Sequence, residues 1–249
     1  MAPPNPRPMG RARGGGVGFH GAGTPIYFRA PQVSAAHAPP PVEFYLAVLA
    51  SLFSVVNPLG AIPVFLALTP DYTARERRAT ALRTGVWFAL ILAAFYFAGT
   101  VILAFFGIDL AAMRIAGGLV IMISGYGLLY GKQADSRGVD KKVRHEAMAK
   151  DDISFSPMAM PMLSGPGSIS LLIGYFDEYA ALEQRVTVFA VILSLAVICW
   201  GILVASPYLF RVLGVAGLQA LTRIMGFIVL AIGVQYVITG VVALAGAGR

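Results

Sequence analysis

Hydrophobic positions in this chain come in long unbroken runs rather than in alternation. From Phe44 to Pro70 there is no charged residue, and five further uncharged runs follow: Gly85 to Ile108, the stretch after Arg114 up to Gly131, Ile153 to Phe176, roughly Val186 to Phe210, and the stretch that Arg223 opens, up to Gly248. A helix needs about 20 apolar residues to cross a hydrocarbon core of roughly 30 Å. The runs therefore predict an all-α, polytopic membrane protein with six transmembrane helices. Charge collects between them, at Arg75, Arg77, Arg78 and Arg83 after the first run and at Lys132, Arg137, Lys141, Lys142, Arg144 and Lys150 after the third. Two basic residues follow the fifth run and a single one separates the fourth from the fifth. Basic loops are retained in the cytoplasm, so the odd-numbered loops are expected inside and both termini outside.

Two of the runs are interrupted where a helix should be continuous. Asn57-Pro58-Leu59-Gly60 breaks the first, and Ser164-Gly165-Pro166-Gly167 breaks the fourth. Proline lacks a backbone donor and clashes with the preceding turn, whereas Asn is a favoured N-cap and Pro a favoured first helical residue. Asn57-Pro58 thus reads as the cap and first residue of a new half-helix. Gly165-Pro166 fills the same two positions, with Ser164 near enough to offer a hydroxyl. Pro63 and Pro161 give each span a second weak point.

Pro58 and Pro166 are 108 residues apart. Laying Arg114 on Arg223, a shift of 109, also matches Ile115 with Ile224, Gly117 with Gly226, Val120 with Val229 and Ile123 with Ile232. Two landmarks thus point to one duplication of three spans, with repeats at about 42–131 and 153–246. An odd number of spans per unit forces opposite orientations, so the fold expected is two inverted three-helix repeats with the first and fourth helices broken. In secondary transporters such paired breaks build the substrate site near the midplane. The breaks should then lie at similar depth and face each other; packing on opposite outer faces, toward lipid, would remove the central site.

A helix that restarts inside a membrane exposes unpaired N–H groups and the positive end of its dipole, and irregular backbone there must be buried or line a wet cavity. The candidate substrate-binding residues are Asn57, Pro58, Gly60, Ser164, Gly165, Pro166, Gly167 and Gln235, for a small solute with a carboxylate or other anionic group. Arg114 and Arg223 are candidates for a gate or an anion contact, set against simple snorkelling at span entrances. For Gln235, structural hydrogen bonding within the bundle is the competing role.

Composition agrees with the membrane assignment and narrows the function. Of the 249 residues, 57% are hydrophobic and 12% charged, with a mean hydropathy of +0.75. No separate soluble domain fits. The net charge of +7 reflects the basic loops rather than nucleic-acid binding. Residues 1–41 are rich in Pro, Gly and Ala, lack the apolar core of a signal peptide, and are expected to form a disordered tail or the product of an upstream start codon. Residues 132–152 are expected to form a solvated, basic cytoplasmic loop. Cys199 is the single cysteine and reads as a packing residue. No run carries an Asp, Glu, His, Lys or Arg in its interior, which argues against a simple proton relay. No side-chain cluster suggests a metal site, a cofactor or catalysis, so the protein is expected not to be an enzyme.

Several stretches together resemble the MarC family of bacterial inner-membrane proteins. They are Asn57-Pro58-Leu59, Arg114-Ile115-Ala116-Gly117-Gly118, Pro157-Met158-Ala159-Met160-Pro161 leading into Gly165-Pro166-Gly167, and Arg223-Ile224-Met225-Gly226-Phe227 through Gly233-Val234-Gln235. The resemblance spans about residues 42 to 245. It implies a six-span fold similar to the LysE superfamily of small-solute exporters and a place in the inner membrane. The partners implied are the bilayer and a small solute. The expected function is a secondary transporter or exporter; the alternative is a membrane scaffold or sensor subunit, which has little use for two capped half-helix ends at matching positions.

Overall fold

The computed structural model of the protein describes residues 41–130 and 152–247. The expected tail and the expected basic loop, apart from residues 41 and 152, lie outside the described residues. Within them the chain forms α1 (Pro41–Val56), α2 (Pro58–Leu68), α3 (Ala74–Phe105), α4 (Leu110–Leu129), α5 (Ser154–Leu163), α6 (Pro166–Glu178), α7 (Leu182–Val204) and α8 (Ser206–Ala247), and no strand is present among the described residues.

Five segments are long and apolar enough to cross a bilayer: Pro41–Leu68 taken across its break, α3, α4, α7 and α8. The fourth expected run does not form a sixth such helix. Proline disfavours helical backbone in the residue before it, and Ser156 and Met160, which precede Pro157 and Pro161, are extended at φ −128° and −130°. Between these points α5 winds in wide turns, with Ser164 N–H donating to the Ala159 carbonyl at 2.8 Å. Pro166 then opens α6, which is only 13 residues long. Asp152 sits just before α5. Burial acts to raise its pKa, but hydrogen bonding from Ser154 and the charge of Arg83 outweigh burial and hold the carboxyl below its ordinary value.

Other boundaries shift for local reasons. The cluster from Arg75 to Arg83, expected in a loop, lies in the first turns of α3, because Thr73 and Glu76 form a reciprocal capping box that starts the helix early. Asp109 caps α4 by accepting from Ala111 N–H at 2.6 Å. The fifth helix runs from Leu182 to Val204 instead of Val186 to Phe210, since Ser206-Pro207 begins the next helix. Before Arg223 a single residue interrupts the regular backbone of α8, Gly214, at φ 62° and ψ −176°. A side chain at that φ would be strained.

α4 lies along α8, and α3 lies against α7. α6 packs on α3 and α4, while α2 packs on α7 and α8; α5 packs on α3 and α1 on α7; α1 touches α6 and α2 touches α5. The α4–α8 seam is made by glycines seven residues apart on each helix. A Cβ added at Gly118 would stand 2.8 Å from the Gly233 carbonyl oxygen, and one at Gly125 would stand 2.8 Å from that of Gly226. The reverse holds for Gly233 against Gly118 and for Gly226 against Gly125. Small residues that let backbones approach are the usual means of holding helices together where lipid removes the hydrophobic drive.

Arginine closes the far end of each half-helix. Arg77, four residues into α3, donates from Nη2 to the carbonyl of Thr69, the C-cap of α2, at 2.7 Å. Arg185, four residues into α7, donates from Nε to the carbonyl of Tyr179, the C-cap of α6, at 3.3 Å, and lies over the Phe176 ring at 4.1 Å. A cation at a helix C-terminus satisfies orphan carbonyls and opposes the negative dipole end. The outer surface is apolar, with Phe105 83% exposed, whereas Asn57, Thr84 and Ser164 are fully buried. That inversion of the usual arrangement suits a lipid surround.

Two outcomes follow. Gly125→Leu or Gly233→Leu, which drives a side chain into opposing backbone, should lower stability by about 1–3 kcal/mol or more, read as a fall in the thermal unfolding midpoint in detergent. Arg77→Ala and Arg185→Ala should each cost about 1–2 kcal/mol by the same measurement, whereas exposed Arg223→Ala should leave the midpoint unchanged.

Candidate functional site

The first break begins with an unusual backbone. Asn57 adopts φ 47° and ψ 66°, the left-handed region that Asn tolerates better than other side chains, and its Oδ1 accepts from Gly60 N–H at 3.3 Å. Pro58 follows as first helical residue, where a missing N–H costs nothing. With Oδ1 occupied, the Asn57 amide has its donor half left over: Nδ2 is buried and has no partner.

The second break reaches the same end by a different route. Gly165 is the N-cap of α6, with φ −77° and ψ 166°, and makes no side-chain cap bond. Pro166 is the first helical residue. The expected hydroxyl of Ser164 does not cap the helix; its Oγ is buried and unpaired. Ser168 Oγ instead donates back to the Gly165 carbonyl at 2.9 Å.

Residues flanking the two breaks touch, although Gly165 is half-buried and Pro166 is exposed. A Cβ on Gly167 would lie 3.4 Å from Val55 Cγ1, two residues before Asn57, and 2.9 Å from Ile121 Cγ1 of α4. Asn57 and Ser164 are both 0% exposed, and Pro58, Gly60 and Gly167 are buried with them. Pro58 and Pro166 have no N–H and the Gly60 amide is held by Asn57; the other first amides, of Leu59 in α2 and of Gly167 and Ser168 in α6, have no intrahelical acceptor. What gathers here is a surplus of donors without any charged side chain from either break. Groups of this kind can donate to an acceptor such as a carboxylate, another oxyanion or a carbonyl.

The other candidates lie elsewhere. Arg114 sits at the opposite end of α6 from its break, 3.6 Å from a Glu178 oxygen through Nη2, with both side chains largely covered. An ion pair with this much burial is costly to break from one side, so Arg114 is committed to Glu178. Arg223 is exposed on α8. Gln235 is half-buried, and it is the adjoining Tyr236 that reaches α6, donating to the Ser170 carbonyl at 3.0 Å above Gly174, whose missing side chain makes room for the phenol. Sequence reasoning passed over Tyr236 because an aromatic in an apolar run carries no polar signal. Arg77 and Arg185 were countable as loop charges only; their common spacing of 108 residues was the available clue.

Comparison with known proteins gives the chain its relatives. Residues 42–245 match the model of the MarC family of integral membrane proteins. The chain is 34% identical over 197 residues to membrane protein YhcE of Escherichia coli, covering 79% of this chain and 91% of that protein. It is 35% identical over 201 residues to a membrane protein of Methanocaldococcus jannaschii, covering 80% and 97%, and 32% identical over 205 residues to the inner membrane protein MarC of Salmonella typhimurium, covering 78% and 91%. No solved structure matches it. The chain is an integral, multi-pass membrane protein, and it belongs to the MarC family.

Proposed function

We propose that the protein is a secondary transporter or exporter of a small polar solute bearing an anionic or other acceptor group, bound between the two breaks, and that it performs no catalysis. The observation that carries this reading is the contact of Gly167 with Val55 beside the two half-helix N-termini, with Asn57 Nδ2 and Ser164 Oγ buried and left without partners. Buried polar groups are nearly always paired, and an orphan calls for an explanation. A solute acceptor group supplies one.

The reading includes two inverted three-span repeats, with α5 and α6 together making the fourth span. A single offset of 108 residues supports it at several places. The half-helices α2 and α6 start 108 apart, and so do α3 and α7. Arg77 and Arg185 are 108 apart and cap equivalent helix ends. Adding 108 to Gly118 and Gly125 gives Gly226 and Gly233, so exchanging the repeats turns the contact of Gly118 with Gly233 into that of Gly125 with Gly226. The same exchange turns α6 on α3 and α4 into α2 on α7 and α8, and α5 on α3 into α1 on α7. In this register Arg114 corresponds to Thr222 instead of Arg223, which fits their different surroundings.

A pair of inverted units around one buried site is suited to alternating access. The odd loops are assigned to the cytoplasm of a bacterial plasma membrane, both termini outside, on the basic residues they carry. Reconstitution into liposomes with a screen of amino acids and organic anions tests the function. Flux of at least one such solute is the expected result; intact, folded protein that moves none would favour the scaffold or sensor role. Asn57→Gly keeps the left-handed backbone and Ser164→Ala removes only an unpaired hydroxyl, so both should remain within about 1 kcal/mol of wild-type stability. Each should nonetheless lower uptake at limiting solute by roughly tenfold, the loss of one hydrogen bond to solute. Unchanged uptake in both variants would remove the breaks as the binding site.

A further inference from the structure

The end of the bundle expected to face the cytoplasm carries a cleft of about 460 Å³, lined by Ala74, Arg75, Arg77 and Arg78 from the start of α3 and by Val204 and Pro207 from the junction of α7 and α8. Arg77 has a structural task, closing α2 through Thr69. Arg75 and Arg78 have none. Neither has an acidic partner among the described residues, and the adjacent Glu76 carboxylate is occupied by the Thr73 N–H and hydroxyl at 2.8 and 2.7 Å. Under the 108-residue offset Arg77 matches Arg185, but Arg75 matches Glu183 and Arg78 matches Val186. The two arginines are thus additions to one end only, unneeded by the duplicated framework. The positive-inside bias explains basic residues at this end of the molecule; it does not explain their gathering in one cleft.

We propose that this cleft binds a phosphate-bearing anion, with Arg75 and Arg78 as its ligands and the charge of Arg77 and the positive end of the α3 dipole behind them. Guanidinium forks match phosphate oxygens in geometry and charge, and basic pockets at helix ends on the cytoplasmic side are suited to anionic headgroups. The surface beside the cleft points to the headgroup of a phospholipid. Leu82, Val86 and Leu90 follow Arg78 at intervals of four along α3, on one face, and all three are half exposed. A lipid with its phosphate at Arg78 would lay an acyl chain along this strip. Soluble phosphate shares the recognition chemistry and not the strip.

Native mass spectrometry of the full chain in detergent, titrated with phosphatidylglycerol, phosphatidylcholine or inorganic phosphate, tests the site, with the thermal unfolding midpoint followed in parallel. Phosphatidylglycerol is expected to bind in preference to phosphatidylcholine. Arg75→Ala/Arg78→Ala should weaken that binding roughly thirtyfold, from two arginines lost against an anionic headgroup, while Arg75→Lys/Arg78→Lys should retain most of it. Both positions are exposed, so an unchanged midpoint without ligand confirms that the variants fold. If inorganic phosphate displaces the lipid or raises the midpoint with the same arginine dependence, the anion is soluble phosphate and the site stands. Equal binding of both lipids, unaltered in the double alanine variant and with no effect of phosphate, overturns the proposal.

Discussion

A backbone that leaves its helix inside a bilayer has no water to turn to, and each unpaired amide facing hydrocarbon costs several kcal/mol. The rest of this structure depends on that constraint. The break at Asn57 is buried, the one at Gly165 is covered in part, with α4 placing Ile121 against Gly167, and α2 and α6 are each walled by two long helices. The long helices in turn need a mode of association that lipid does not oppose. Backbone contact through Gly118, Gly125, Gly226 and Gly233 supplies it.

Each half-helix is therefore treated differently at its two ends. At the outer end an arginine four residues into the following helix satisfies carbonyls. At the inner end the cap is minimal, one 3.3 Å bond from Gly60 at the first break and no side-chain bond at the second. Asn57 Nδ2 and Ser164 Oγ are buried without partners beside these inner ends, as are Thr84 Oγ1, Trp200 Nε1 and Ser206 Oγ elsewhere.

Much of this was legible in the sequence, and the failures have physical causes. Run length located five spanning segments because crossing a bilayer is a length requirement. The fourth run, expected to be broken, holds no helix of spanning length because proline acts on the residue before it, which made Ser156 and Met160 extended. The start of α3 was displaced because counting charges finds where the membrane ends, not where the helix does; the Thr73–Glu76 box carried that information. Asn57-Pro58 was readable as a cap, whereas the orphaned Ser164 hydroxyl was not, since only three-dimensional packing decides whether a hydroxyl finds its partner. Arg114 and Arg223, matched in the sequence, stand in different surroundings, one paired with Glu178 and the other exposed. On a helix one residue is a rotation of about 100°, enough to separate a side chain bound to Glu178 from one on the surface, and Gln235 from the inward Tyr236.

The arginines at Arg77 and Arg185 have an electrostatic consequence for the middle of the protein. A short helix has a dipole whose two ends nearly cancel at a distance; neutralising the carbonyl ends of α2 and α6 leaves their amide ends without an opposing pole. Both uncancelled poles are positive, one at Asn57-Pro58 and one at Gly165-Pro166. The resulting potential is made of peptide groups and one carboxamide, none of which titrates in the physiological range. An anion drawn to either helix start would meet a charge that does not switch with pH.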